Sequence, residues 1–235
     1  MPATASVSVV IPVYNGERFL AEAIESACWQ THRPKETIVV DDGSTDGSAA
    51  ITRAWPGVRC ISQANAGLAT ARNTGIEAAS GDFVALLDAD DIWTPDKLAL
   101  QLEALAAAPD AGYASSWHRD FFEPGEPVNS SYRTHLGDEP SGGLPSSWLV
   151  RRETFPRVGL FDPAFEMAED ADWHLRATDA DVPPVLVREV LVLRRRHDSN
   201  LSWDFTRGRF FMFAALRASA GRKRRLQASR GAAHA

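Results

Sequence analysis

Four short apolar runs at 7–13, 37–41, 58–62 and 82–87 alternate with stretches of helical spacing at 17–29, 48–55 and 68–79. Short β-branched strands alternating with helices predict an α/β fold with a mostly parallel central sheet and flanking helices. The pattern continues with a helix at 95–107 and a strand at 111–116. From 119 to 147, Pro124, Gly125, Pro127, Pro140, Gly142, Gly143 and Pro145 interrupt every period, which predicts a long loop or lid of the kind that often carries function. Regular structure is expected again at 147–150, then a helix at 169–178, a strand at 185–193 and an amphipathic helix at 205–218.

With 235 residues, 44% hydrophobic and 24% charged, the chain can bury one α/β core with a smaller appended subregion. Its organisation reads as 1–118, 119–204 and 205–235. Cys28 and Cys60 sit in unrelated patterns, suggesting neither a disulfide framework nor a zinc site, as suits a reducing cytoplasmic setting. The apolar run 7–13 is too short for a signal peptide or a membrane span. Arg217, Arg222, Lys223, Arg224, Arg225 and Arg230 follow residue 216 with no acid after it, so the rest of the chain is more acidic than the net charge of −6. An acidic body argues against a nucleic-acid partner. The basic tail has two readings. It is either a peripheral contact with an anionic membrane, helped by Phe210, Phe211, Phe213 and Leu216, or a solvated terminus.

The densest chemistry lies at 84–91, where an apolar strand runs into Asp88-Ala89-Asp90-Asp91. Carboxylates at a strand's carboxyl end lie where open α/β sheets bind ligands. Packed so closely they repel, and one pKa rises unless a cation holds them together. Oxygen ligands suit Mg²⁺ or Mn²⁺ shared with substrate phosphates. The plainer alternative is a strand leading into a helix capped by Asp91 or Thr94, with Pro95 in its first turn. Two more strand ends are polar: Pro12-Val13-Tyr14-Asn15-Gly16, and Asp41-Asp42-Gly43-Ser44-Thr45-Asp46. An Asp there can accept the imide N–H of uracil, or simply close an Asx-turn. Arg72, in a helix at 68–79, is within reach of a base or phosphate, or is a surface charge.

The order of these motifs, continued by Gly67-Leu68-Ala69-Thr70-Ala71-Arg72-Asn73-Thr74-Gly75 and by Glu169-Asp170-Ala171-Asp172-Trp173, resembles a family 2 glycosyltransferase. The resemblance implies a GT-A fold, a UDP-sugar or related donor, Mn²⁺ or Mg²⁺, and inversion at the anomeric carbon. It also implies a role in cell-envelope polysaccharide or glycoconjugate synthesis. Residues 1–118 then form the nucleotide-sugar half and 119–204 the acceptor half. Pro12, Tyr14, Asn15, Asp41, Arg72, Asp88 and Asp90 match nucleotide-sugar contacts, with Asp90 on the metal and Asp170 as catalytic base. Glu169 and Asp172 are rivals to Asp170, and residues 170 and 172 face different sides of a helix. His197 resembles a late His brought to the metal or diphosphate, and imidazole suits Mn²⁺ better than Mg²⁺. A packed histidine is the alternative.

The chain lacks the Gln-x-x-Arg-Trp motif of processive members, which favours transfer of a single sugar to a glycan, lipid-linked or other small acceptor. Trp117, Trp148, Trp173 and Trp203 suit either stacking on a sugar or core packing. Three rivals remain. A haloacid-dehalogenase-type phosphatase would carry its Asp-x-Asp on the first strand. A pyrophosphorylase would need a Gly-rich phosphate loop near that strand. A catalytically silent sugar-nucleotide-binding module would not need Asp170.

Overall fold

The computed structural model describes residues 5–123, 141–198, 200 and 204–232. The first strand, β1 (Val7–Val13), is buried along its whole length, so successive side chains feed two cores. Val7, Val9, Ile11 and Val13 face α1 (Leu20–Cys28) and α4 (Lys97–Ala107), meeting Leu20, Ile24, Leu98 and Leu102. Val10 points the other way, with Ile38, Val84 and Leu86, toward Ile76, Trp148 and Trp173. This two-sided burial is why the run lacks the alternation of a half-exposed strand.

The described strands form one sheet in the order β3 (Val58–Ser62), β2 (Glu36–Asp41), β1, β4 (Phe83–Leu86), β8 (Leu149–Arg151), β6 (Tyr113–Phe122), β9 (Pro184–Arg196), β5 (Ile92–Trp93), with β7 (Ser141–Gly142) beside β6. β1 to β4 are mutually parallel, as their β-branched pattern predicts. β8 runs antiparallel to β4 and β6, whereas β9 pairs parallel with β6. The carboxyl ends of β1, β2, β4, β6 and β9 therefore share one edge. α2 (Ser48–Ala54) and α3 (Leu68–Ala78) cross between the parallel strands. α3 lies tight on β1: a Cβ added at Gly75 would stand 2.2 Å from Val10 Cγ1.

Several expectations need correction. The loop expected at 119–147 begins later, because 119–122 belong to β6, and it ends in a buried 3-10 turn at Pro145–Ser147. Its 124–140 portion lies outside the described residues. α5 (Thr154–Val158), β5 and β7 were not anticipated, being too short to show a period. Neither Asp91 nor Thr94 caps α4, whose N-cap position is Asp96. The last helix, α7, runs Phe205–Ala232, well beyond 218. Among its described side chains the buried ones are the small Ala215 and Ser219, which let it approach α6 (Glu169–Asp179) closely, while Phe210, Phe213 and Leu216 are exposed.

Lys97 is fully buried beneath the sheet. Its Nζ donates to Gln101 Oε1 at 2.8 Å and Trp148 O at 3.3 Å, and lies 4.0 Å from the Trp93 ring centroid. With no carboxylate among these partners, burial pushes its pKa well below the usual lysine value. Between the lowered native pKa and the ordinary lysine value of about 10 the unfolded chain binds a proton that the native chain has lost, so stability rises with pH across that window. Urea denaturation should gain up to about 1.4 kcal/mol per pH unit from this residue over that window, a slope missing from Lys97→Met. Equal slopes in the two proteins would show that the native amine keeps its proton.

Candidate active site

The strand order reverses at β1, with β2 and β3 on one side and β4 on the other, so the carboxyl ends of β1 and β4 border the crevice where such sheets bind ligands. Tyr14 stands at the end of β1, 56% exposed. Asn15 takes the left-handed conformation, φ 52°, and its Oδ1 accepts hydrogen bonds from Thr45 N at 2.8 Å and Thr45 Oγ1 at 3.2 Å. Asp41, at the end of β2, accepts Ser44 N at 3.0 Å through Oδ1. Asp42 is buried and ties the loop before α3, taking Gln63 Nε2 at 2.7 Å, Ala66 N at 3.0 Å and Gly67 N at 2.9 Å.

The three carboxylates after β4 find three separate environments. Asp88 Oδ1 accepts Arg72 Nη2 at 2.6 Å. Asp91 is buried. Its Oδ2 accepts Ser146 Oγ at 2.7 Å and its Oδ1 accepts Arg195 N at 3.1 Å. Burial, with the charges of Asp90 and Asp88, pushes the Asp91 carboxyl well above the usual range. Asp90 is left facing the open side, its side chain 31% exposed. Its Oδ2 lies 3.0 Å from His197 Nε2 and 3.0 Å from Asn200 Nδ2. β9 delivers this pair, since its carboxyl end lies beside that of β6 at the same edge as β4. Arg195 fixes the junction. Its Nε donates to Asp90 O at 3.0 Å and its Nη2 pairs with Glu22 at 2.8 Å.

The first turn of α6 closes the other side. Ala168 enters it at φ 61° and ψ 24°, a left-handed position costing about 1–2 kcal/mol for a residue with a Cβ. Glu169 is buried and ion-paired to Arg72. Asp170 Oδ1 accepts Ala171 N at 2.7 Å. Burial raises the Asp170 carboxyl, the Arg72 charge draws it back and Asp88 pushes it up again, which places all three groups in one electrostatic neighbourhood. Asp172 points into the protein, 2% exposed, and pairs with Arg176 Nε at 2.7 Å. Of the two aspartates on this turn, Asp172 is thus held by a guanidinium while Asp170 is not.

Arg72, read as a base or phosphate contact, lies behind the carboxylates of the site. Only 1% exposed, it has its charge committed to Asp88 and Glu169, whose pull more than offsets burial and keeps the guanidinium protonated. Pro12 is buried within β1, paired with Val40, and the side chain of Asn15 braces the β2 loop. Trp148 and Trp173 belong to an aromatic core with Tyr113 and Phe161, leaving neither for a sugar; Trp203 lies outside the described residues. Sequence reading missed Asn200, Ser146 and Arg195. The available signal was an Arg and an Asn bracketing His197 by a few residues, but it sat inside a run that reads as plain charge.

The profile described as Glycosyl transferase family 2 matches residues 8–155. EpsJ of Bacillus subtilis, an uncharacterized glycosyltransferase, is 30% identical over 218 residues, which cover 83% of this chain and 62% of that protein. The chain spans as little as 13% of the curated relatives it matches, as with glycosyltransferase GlyA of Streptococcus pneumoniae, and 17% of an uncharacterized glycosyltransferase of Rickettsia felis. Glucosyl-3-phosphoglycerate synthase from Mycobacterium tuberculosis, in complex with Mn²⁺, UDP and phosphoglyceric acid, is similar in structure with a TM-score of 0.68. That match is 20% identical and covers 93% of this chain and 80% of that one. S. aureus TarS 1-349 in complex with UDP-GlcNAc gives a TM-score of 0.66 at 20% identity, over 92% and 66% of the two chains. These likenesses establish the GT-A fold. With the family profile spanning more than half its length and a relative 30% identical over most of it, the chain belongs to glycosyl transferase family 2.

Proposed function

We propose that this chain transfers a single sugar from a nucleoside-diphosphate sugar, UDP-linked, to an acceptor hydroxyl with inversion and with help from a divalent cation. The observation that carries this reading is the meeting of Asp90, His197 and Asn200 across the crevice from Asp170 and Arg72. Tyr14 offers an exposed ring to the base, and Asp41 a carboxylate oxygen to its imide N–H. Asp88, anchored by Arg72, borders the ribose.

Asp90 and His197 form an oxygen and imidazole donor set that fits Mn²⁺ and suits Mg²⁺ less well. Among the described residues no group of three or more His, Cys, Asp or Glu is placed to hold a metal, so in this reading diphosphate oxygens would complete the coordination. When bound, the cation neutralises charge on the departing diphosphate. Asp170 takes the proton of the acceptor hydroxyl as its oxygen attacks the anomeric carbon opposite the leaving group. The Mn²⁺ and UDP in the M. tuberculosis synthase and the UDP-GlcNAc in TarS support this reading by fold. The acceptor is a glycan, a lipid-linked sugar or another small molecule.

Calorimetry of UDP binding tests the donor half. Mn²⁺ should tighten binding relative to EDTA, and Asp90→Asn should remove about 1–3 kcal/mol of the metal-dependent part. Affinities that are equal with Mn²⁺ and with EDTA would overturn the cation requirement.

A further inference from the structure

Seven large apolar side chains are exposed among the described residues, and four of them, Phe210, Met212, Phe213 and Leu216, lie on α7. Phe210 and Phe213 are 67% and 62% exposed, more than chance protrusion leaves a packed aromatic. The spacing 210, 213, 217, 220, 224 places Phe210, Phe213, Arg217 and Arg224 on one outward stripe, and 209, 216, 223 adds Arg209, Leu216 and Lys223 beside it. All seven are exposed, and the helix contains no Asp or Glu. The opposite stripe is fastened down. Ser219 Oγ donates to Asp179 Oδ1 at 2.9 Å, Arg222 Nε to Asp179 Oδ2 at 2.7 Å, and Phe211 packs on Phe165 with ring centroids 6.4 Å apart. The outward stripe is therefore held open by the packing of the inner one.

We propose that this outward face of α7 docks on an anionic lipid bilayer. Aromatic and aliphatic side chains interleaved with Arg and Lys, free of acids, are what an interfacial helix needs. The rings enter the headgroup and acyl boundary while the cations meet lipid phosphates, their stems lying along the apolar surface. A second copy of the chain is a poorer occupant. Paired with itself the face would set Arg209, Arg217, Lys223 and Arg224 against the same cations with no acid to meet them, and among the described residues the other exposed large apolar side chains, Tyr14, Trp29 and Leu186, sit singly on separate elements. With its inner stripe fastened to the body, α7 presents only one face and would lie on the bilayer surface. The inference is independent of the proposed reaction, since it rests on a face that carries none of the site residues.

Sedimentation of the full chain with phosphatidylcholine vesicles, with and without about one third phosphatidylglycerol, tests it. The anionic vesicles should bind at least about tenfold more protein at low salt, and high salt should release it. Phe210→Ser with Phe213→Ser, and separately Arg217→Gln with Arg224→Gln, should each weaken binding about tenfold or more, with circular dichroism and UDP affinity unchanged because these side chains are exposed. No binding to anionic vesicles at low salt would overturn the proposal, as would wild-type binding by both double variants. A dimer that the same substitutions dissolve, without vesicle binding, would assign the face to a second copy instead.

Discussion

Asp170→Asn is expected to lower turnover about 10²–10⁴-fold while leaving metal-dependent UDP affinity intact, the usual worth of a positioned base. The amide keeps the size of the side chain and removes only its capacity to take the acceptor proton. Because burial holds the Asp170 carboxyl above the ordinary aspartate range, the acid limb of the wild-type rate should fall at a higher pH than a solvated aspartate would give. The linkage runs the other way for stability. A carboxyl whose native pKa is raised binds its proton more tightly when folded, so its contribution is present at low pH and lost as pH rises through the native value. Activity gained and stability lost should therefore track one titration. Asp172→Asn breaks the pair with Arg176 and should lower stability with little change in rate. If Asp172→Asn abolishes turnover and Asp170→Asn spares it, the base is Asp172.

The parallel half of the fold was legible because β-branched runs bounded by polar strand ends are a local signal, and β1, β2, β3 and β4 all follow from it. The other half is built from pairings that no local pattern encodes. β6 and β9 are 13 or fewer residues long but separated in sequence by the whole acceptor-side segment, and their parallel register decides where His197 arrives. His197 and Asp90 are 107 positions apart, so their contact is a product of topology. The Pro and Gly residues before Ser147 read as mobile loop chemistry, yet Pro145–Ser147 is buried and Ser146 bridges Asp88 N at 3.1 Å and Asp91 at 2.7 Å. In α7 the sequence rule that large apolar residues mark the packed face fails, because the small Ala215 and Ser219 are what closeness to α6 selects.

The sequence problem of three adjacent carboxylates is solved by division. Asp88 receives a guanidinium, and Asp91 is buried where its proton is favoured. Asp90 retains an exposed oxygen beside an imidazole and an amide. Only one of the three therefore needs a cation from outside. The same division makes Asp90 the carboxylate best placed for the cation proposed above.

Arg72→Met is expected to destabilise the fold by about 3–5 kcal/mol, because it strips a buried charge pair of its cation and strands Glu169 without a partner. The long apolar side chain keeps much of the packing against Phe161, whose ring centroid lies 5.5 Å from the guanidinium carbon. Volume loss is thus a small part of the effect. Urea denaturation gives the magnitude. Adding Glu169→Gln should return a large share of the loss, since the second change removes the stranded charge, and the two substitutions share one contact and cannot be additive. Arg72 also draws the Asp170 carboxyl downward, so in Arg72→Met the acid limb of the rate should move to still higher pH. A loss below about 1 kcal/mol, or additive single and double variants, would mean that the Glu169 carboxyl already carries its proton and that Arg72 is no electrostatic keystone of the site.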